Sequence, residues 1–237
     1  MDMPGTAAFW IALGNIILVN IVLSGDNAVV IAMAARSLPP AQQKKAIFYG
    51  SAAAIVMRVI LTIFALQLLA LPYLKLVGSL LLFNIGLQLL TEQDDEGDVT
   101  HHATLLGAIK TILVADLVMS LDNVLGVAAA ADGNIVLLVA GLAVSIPLIV
   151  FGSTLILRLM ERFPVIITLG AALLGYLSGE MLFSDAALRE TIDNWLPHHA
   201  FHLPGVDVEL SIPGLVGAVA IVLLGHWLAR RNKTALH

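Results

Sequence analysis

Apolar stretches long enough to cross a bilayer recur along almost the whole chain, at about 8–35, 46–70, 73–91, 105–130, 135–157, 164–183 and 211–229. A hydrocarbon core of roughly 30 Å takes about 20 helical residues, and each stretch comes close to that length or passes it. A soluble domain of 237 residues has no use for so much apolar surface: 59% of the residues are hydrophobic and only 12% charged. Long continuous runs read as helices, because a membrane barrel would show short alternating segments instead. Their many Gly and Ala residues permit close helix packing in lipid. Pro39-Pro40, Pro72, Asp132-Gly133, Pro164 and Pro213 punctuate the runs. The expectation is an all-α polytopic membrane protein of about seven transmembrane helices, forming a single membrane domain over residues 1–237.

Charge placement suggests an orientation. Arg36, Lys44 and Lys45, then Arg158 and Arg162, then Arg230, Arg231 and Lys233 fall on one side of a seven-span chain, with only Lys75 and Arg189 opposite. Short loops rich in Lys and Arg stay cytoplasmic, so the N-terminus is expected outside and the C-terminus inside. The opening "MDMPGTAAFW" has no basic residue, so the first run reads as a retained span rather than a cleaved signal. There is no cysteine, which excludes disulfides and thiolate metal sites.

Within this apolar background the chain repeats itself. "NIVLSGDNAVVIAMAA" (Asn20–Ala35) returns as "DLVMSLDNVLGVAAAA" (Asp116–Ala131), pairing Ser24 with Ser120, Asp26 with Asp122 and Asn27 with Asn123. A second match, "VGSLLLFNIGLQLL" (Val77–Leu90) with "LGAALLGYLSGEML" (Leu169–Leu182), pairs Gly78 with Gly170 and Gln88 with Glu180. The chain therefore reads as two three-helix repeats, 8–91 and 105–183, followed by an extracytoplasmic loop at 184–210 and a seventh helix at 211–229. Three spans is an odd number, so the copies are inverted, the arrangement of many secondary transporters with mid-membrane sites between repeats. On a helix Asp116, Ser120 and Asn123 share one face, as do Asn20, Ser24 and Asn27, while Asp26 and Asp122 sit about 100° away. A helix break at "SGD" would change that, and Gly25 favours one in the first copy; Leu121 does not in the second.

Carboxylates at this depth are expensive, roughly 2.5–3.5 kcal/mol for Asp at a helix centre on insertion scales. Asp26, Asp116, Asp122 and Glu180 all carry that cost. Protonated acids acting as interhelical glue, a proton relay, or a bound cation would each offset it. Arg58, inside the second span, can pair with one acid but not with four. Asp, Asn, Ser and Glu are hard oxygen donors, suited to Mn²⁺, Mg²⁺ or Ca²⁺. Mg²⁺ gives up its waters reluctantly, so a dehydrated cage leans to Mn²⁺ or Ca²⁺.

Other features read as structure. Met33, Met57 and Met119 are expected to pack the core, His226 to be locally satisfied, Lys110 to snorkel, and Asn84, Gln88 and Tyr176 to bond between helices. The loops "TEQDDEGDVTHH" (Thr91–His102) and Phe183–Pro213, the latter with a short surface helix around Ala186–Trp195, read as solvated linkers. Their histidines (His101, His102, His198, His199 and His202) lack the tight spacing of a metal site. No nucleophile–base pair, cofactor fingerprint or basic patch is present, so the expectation is neither an enzyme nor a nucleic-acid binder.

At "LSGDNAVVIAMAA" (Leu23–Ala35), "GSLLLFNIGLQLL" (Gly78–Leu90), "DLVMSLDNVLGVAA" (Asp116–Ala129) and "LGYLSGEML" (Leu174–Leu182), the chain resembles the TerC family of integral membrane proteins, in its YjbE-type branch. The likeness covers about residues 8–185 well and the rest loosely. It implies kinship with LysE-like exporters, a fold of about seven helices built from inverted repeats, residence in the bacterial inner membrane, and export of Mn²⁺ from the cytoplasm. By matching motif, the implied metal-binding residues are Asp26, Asn27, Asp122, Asn123 and Glu180, with Asp116 at the acidic position preceding the second motif. Asn20 stands at the equivalent place in the first copy, so an acid there is absent. Asn84 stands where many relatives carry Trp. The expected partners are a divalent metal ion as transported substrate and the lipid bilayer, with homo-oligomerisation left open. An exporter of amino-acid-like solutes anchored by Arg58 and a non-transporting scaffold are the rival readings.

Overall fold

Each of the seven apolar stretches folds as a helix or, in the first case, as two. The computed structural model of the chain describes residues 7–22, 24–64, 67–68, 71–91, 104–131, 134–185, 187–188, 200–202 and 209–235. Its elements are α1 (Ala7–Val22), α2 (Gly25–Arg36), α3 (Pro40–Ile63), α4 (Leu74–Thr91), α5 (Leu105–Ala131), α6 (Ile135–Arg162), α7 (Val165–Phe183), β1 (Ala200–His202), β2 (Glu209–Ser211) and α8 (Ile212–Ala235). Among the described residues, α3, α4, α6, α7 and Ile212–Ala229 of α8 are each long and apolar enough to span a membrane. The pair α1–α2, bent by 52° at its break, counts as a sixth if taken as one span. At 27 residues, α5 is also longer than a bilayer requires.

Two boundaries differ from the sequence expectation. Helix α3 begins at Pro40 rather than near 46, because proline at a first helical position loses no hydrogen bond the helix would have made. Between Phe183 and Pro213, where a linker was expected, β1 pairs with β2 in an antiparallel hairpin, Phe201 opposite Leu210. Of the surface helix expected around Ala186–Trp195 only Ala187 and Leu188 are described, in a turn, while the acidic loop after Thr91 and four of the five loop histidines lie outside the described residues. Of His202 only the backbone, in β1, is described.

The chain divides into two compact units that do not follow its two halves. One gathers Met1–Leu68 with Ala103–Arg162, hence α1, α2, α3, α5 and α6. The other gathers Leu69–His102 with Phe163–His237, hence α4, α7, α8 and the hairpin. Each expected repeat thus contributes to both.

In the first unit α3 lies along α5, while α1 and α2 pack on α6. Small residues allow the approach: a Cβ at Gly50 of α3 would come 2.7 Å from Ile112 of α5, and one at Gly141 of α6 would come 3.0 Å from the Cβ of Ile16 of α1. Met33 and Met119 are buried there as expected.

The second unit is organised by backbone contact between α7 and α8. Gly175 and Gly179 form a GxxxG spacing on α7, and a side chain at either would collide with the α8 backbone at Gly217–Ala218 or Pro213–Gly214. In lipid, where no hydrophobic effect drives helices together, such close approach supplies the van der Waals contact that does. Helix α4 joins from the other side: Ser178 of α7 donates to the Ser79 carbonyl at 2.7 Å, and a Cβ at Gly86 would meet Ile221 at 2.7 Å. Tyr176 bonds not to a helix but to the end of β2, accepting from the Ser211 backbone N–H at 3.0 Å, and Asn84 and Gln88 are exposed on α4.

The start of α4 is held from a distance in sequence. Asp185, just past α7 and 1% exposed, accepts backbone N–H bonds from Tyr73 (3.2 Å), Leu76 (3.1 Å) and Ala187 (2.8 Å). Burial alone would raise its pKa, but the N–H groups of Ala187, Leu76, Tyr73 and Lys75 hold it below the ordinary 3.8. A carboxylate at the positive end of a helix adds to this stabilisation. Tyr73 itself adopts a left-handed conformation, φ 63°, which costs a non-glycine residue about 1–2 kcal/mol and is fixed here by its bond to Asp185.

Candidate functional site

The first copy of the repeated motif breaks its helix and the second does not. Helix α1 stops at Val22 and α2 starts at Gly25, with Ser24 between them at φ −119°, whereas α5 runs unbroken through Ser120, Leu121, Asp122 and Asn123. Glycine beside the break in one copy and leucine in the other is the sequence difference that matches. Serine in Ser24's position ordinarily caps the helix that follows. Here it makes no such bond, because its hydroxyl is engaged elsewhere.

That engagement is the centre of the first unit's polar interior. Arg58 of α3, 2% exposed, reaches both copies of the motif. Its Nη2 donates to Asp116 Oδ1 at 2.5 Å and its Nε to Ser120 Oγ at 3.0 Å, both on α5. Its Nη1 donates to Asn20 Oδ1 at 2.7 Å and to Ser24 Oγ at 2.6 Å, on the α1 side. Ser120 in turn donates to Asp116 Oδ2 (3.2 Å) and Ser24 to Asn20 Oδ1 (3.3 Å), so each copy presents the same pair, an amide or acid four residues before a serine. The shared faces read from the sequence thus do converge, on a guanidinium.

Asp26 lies in the first turn of α2, half-buried and close enough to interact electrostatically with Arg58 and Asp116. Its carboxylate accepts a bond from the Asn27 backbone N–H at 2.8 Å, and among the described residues it forms no salt bridge. Among the described residues, Asn27, 3% exposed, has neither its amide oxygen nor its amide nitrogen paired, and the Asn20 amide nitrogen and the Ser51 and Ser153 hydroxyls are likewise buried without partners. An unpaired buried polar group costs about 1–3 kcal/mol, so the Asn27 amide is a standing invitation to a ligand.

The other sequence candidates are placed as follows. Asp116 is committed through both oxygens, to Arg58 and to Ser120. Asp122 is a residue of α5 whose side chain is outside the described ones, and Asn123 beside it is half-buried. Glu180 is an exposed residue of α7, in the second compact unit. No three Asp, Glu or His side chains cluster as a metal site among the described residues. His226 bonds its own helix at the Val222 carbonyl, 2.7 Å, as expected. Sequence reasoning gave Arg58 one acid and missed its fourfold clamp, although a lone arginine between two serine-bearing faces was the available signal. It missed Asp185 altogether, two of whose partners, Tyr73 and Leu76, lie more than a hundred positions away.

The family model for "Integral membrane protein TerC family" matches residues 5–233. The chain belongs to the TerC family. A curated relative within it, "Uncharacterized membrane protein YjbE" of Bacillus subtilis (strain 168), is 45% identical over 195 residues, 80% of this chain and 89% of the relative. "UPF0053 inner membrane protein YgdQ" of Escherichia coli (strain K12) is 30% identical over 173 residues, 65% and 73% respectively. "Uncharacterized membrane protein YceF" of Bacillus subtilis (strain 168) is 24% identical over 239 residues, 94% and 84%. No solved structure matches. TerC membership and the apolar helices make the chain an integral membrane protein of a kind consistent with transport.

Proposed function

We propose that this TerC-family chain exports a hard divalent cation, Mn²⁺ first among them, from the bacterial cytoplasm by alternating access. The observation that carries the reading is a half-buried Asp26 carboxylate that forms no salt bridge, beside a buried Asn27 amide that has no hydrogen-bond partner among the described residues, at a broken helix. A break also frees backbone carbonyls in the last turn of α1, further hard oxygen donors at the negative end of a helix dipole. In this reading Asp122 and Asn123 supply the matching donors from the second copy. Asp116, taken by Arg58, serves as the arginine's counter-ion and keeps a permanent cation beside the site.

Protons returning through the same carboxylates would release the metal outside, because bound Mn²⁺ requires ionised ligands. The amino-acid exporter would need Arg58 as its carboxylate anchor, and a ligand would have to displace Asp116 from a 2.5 Å ion pair to use it. The test is efflux from reconstituted vesicles with a panel of divalent ions, with and without a pH gradient. Mn²⁺ movement lost in Asp26→Asn and in Asp122→Asn supports the site. Unchanged movement in both variants refutes it.

A further inference from the structure

The four bonds made by Arg58 are not equivalent. Those to Asn20 and Ser24 join a cation to neutral acceptors on the α1 side of the break. Those to Asp116 and Ser120 include an ion pair with a carboxylate 5% exposed, to which Ser120 also donates. In a low-dielectric interior an ion pair holds more strongly than a bond from the same cation to a neutral acceptor, because separating the ions leaves two uncompensated charges. The neutral side therefore lets go first. The break lies on that same side, while α5 is continuous across its copy of the motif. Ser24 has already given up its ordinary capping bond to α2 in order to face the guanidinium.

We propose that Arg58 is a positioning residue which stays with Asp116 throughout the cycle and exchanges its contacts with Asn20 and Ser24, so that α1 and the break engage and release a fixed cation on α3. The asparagine at position 20 is what makes the clamp releasable. An aspartate there, symmetric with Asp116, would hold the guanidinium from both sides. The inference rests on the exporter reading for the purpose of the movement, but the movement itself has an independent readout.

The chain has no cysteine, so a single introduced thiol is labelled without background. Gly25→Cys places that thiol beside the break, where nothing lies within 4 Å of the new Cβ. A maleimide reacts with thiolate, which forms only where water reaches, so the labelling rate reports opening. In this background Asn20→Asp should slow labelling about tenfold, as an ion pair replaces a bond to a neutral amide. Ser24→Ala should speed it severalfold, and Ser24→Thr, which keeps the hydroxyl, should restore the native rate. In chains without the cysteine, Asn20→Asp and Ser24→Ala should change the rate of Mn²⁺ efflux while leaving Mn²⁺ affinity by calorimetry within about twofold, well under the tenfold that 1.4 kcal/mol would give. Labelling indifferent to Asn20→Asp and Ser24→Ala overturns the clamp, even if Mn²⁺ efflux is normal. Labelling that responds, in a protein whose vesicles release no Mn²⁺, sustains the clamp and overturns the exporter reading instead.

Discussion

Replacing Arg58 by leucine tests the polar interior of the first unit most directly, because the consequences can be followed bond by bond. Four hydrogen bonds disappear. Ser24 still donates to the Asn20 amide oxygen and Ser120 still donates to Asp116, so the main new defect is a buried carboxylate without its counter-charge. Removing one member of a buried pair costs about 3–5 kcal/mol. A carboxyl of ordinary pKa about 3.9 can escape by taking up a proton, which at pH 7 costs about 4 kcal/mol and so sets a ceiling. Arg58→Leu should therefore destabilise by about 3–4 kcal/mol. Asp116→Leu should cost more, because a guanidinium cannot shed its charge, even though three neutral acceptors remain to it. The double replacement should recover most of the loss, as apolar substitutes for buried ion pairs commonly do. The assay is reversible unfolding of purified protein in mixed micelles of rising SDS fraction, read by circular dichroism as a double-mutant cycle. Losses that simply add, with a coupling below about 0.5 kcal/mol, would refute the idea that these charges compensate one another in a dry interior.

Further expectations follow from other parts of the molecule. Asn27→Leu should leave stability unchanged or raise it by about 1 kcal/mol, because an unpaired amide is removed, while Mn²⁺ affinity measured by calorimetry falls at least tenfold. Gly179→Leu should separate α7 from α8 and convert the purified protein to aggregated or unfolded material on size-exclusion chromatography, whereas Gly25→Ala, facing open space, should elute as the native protein does. Asp185→Asn should cost about 1 kcal/mol at neutral pH by weakening the start of α4. The folded-state pKa of Asp185 is lowered, so its contribution is fully present above 3.8 and is lost as pH falls through the lower folded value. The stability gap between native protein and Asp185→Asn, followed by thermal unfolding, should accordingly close in acid below that point.

Helix existence was legible because apolar length alone decides it, and the all-α membrane fold follows, with five or six of the described helices long and apolar enough to span. The paired motif faces were legible too, since helical spacing puts Asn20 with Ser24 and Asp116 with Ser120 whatever the tertiary arrangement. What those faces hold was not. Arg58 sits 38 residues from Asn20 and 58 from Asp116, and no local pattern states which of several acids a lone arginine will choose. The break in the first copy was suggested by Gly25, yet its geometry depends on Ser24 turning from its cap toward the guanidinium. Asp185 shows the same limit more sharply: beside a helix end it looks like any loop acid, and its role exists only because Tyr73 and Leu76 are brought to it.

The interleaving of the two compact units bears on how a ribosome must deliver this chain. Helix α4 emerges early, but α7 and α8, which pack against it, come only after α5 and α6 have been made. At about 5–20 residues per second, α4 waits several seconds with its glycine-lined surface bare in the translocon or lipid. Neither half of the polypeptide carries a complete set of neighbours, so fragments divided between α4 and α5 should be degraded when made singly and persist when made together.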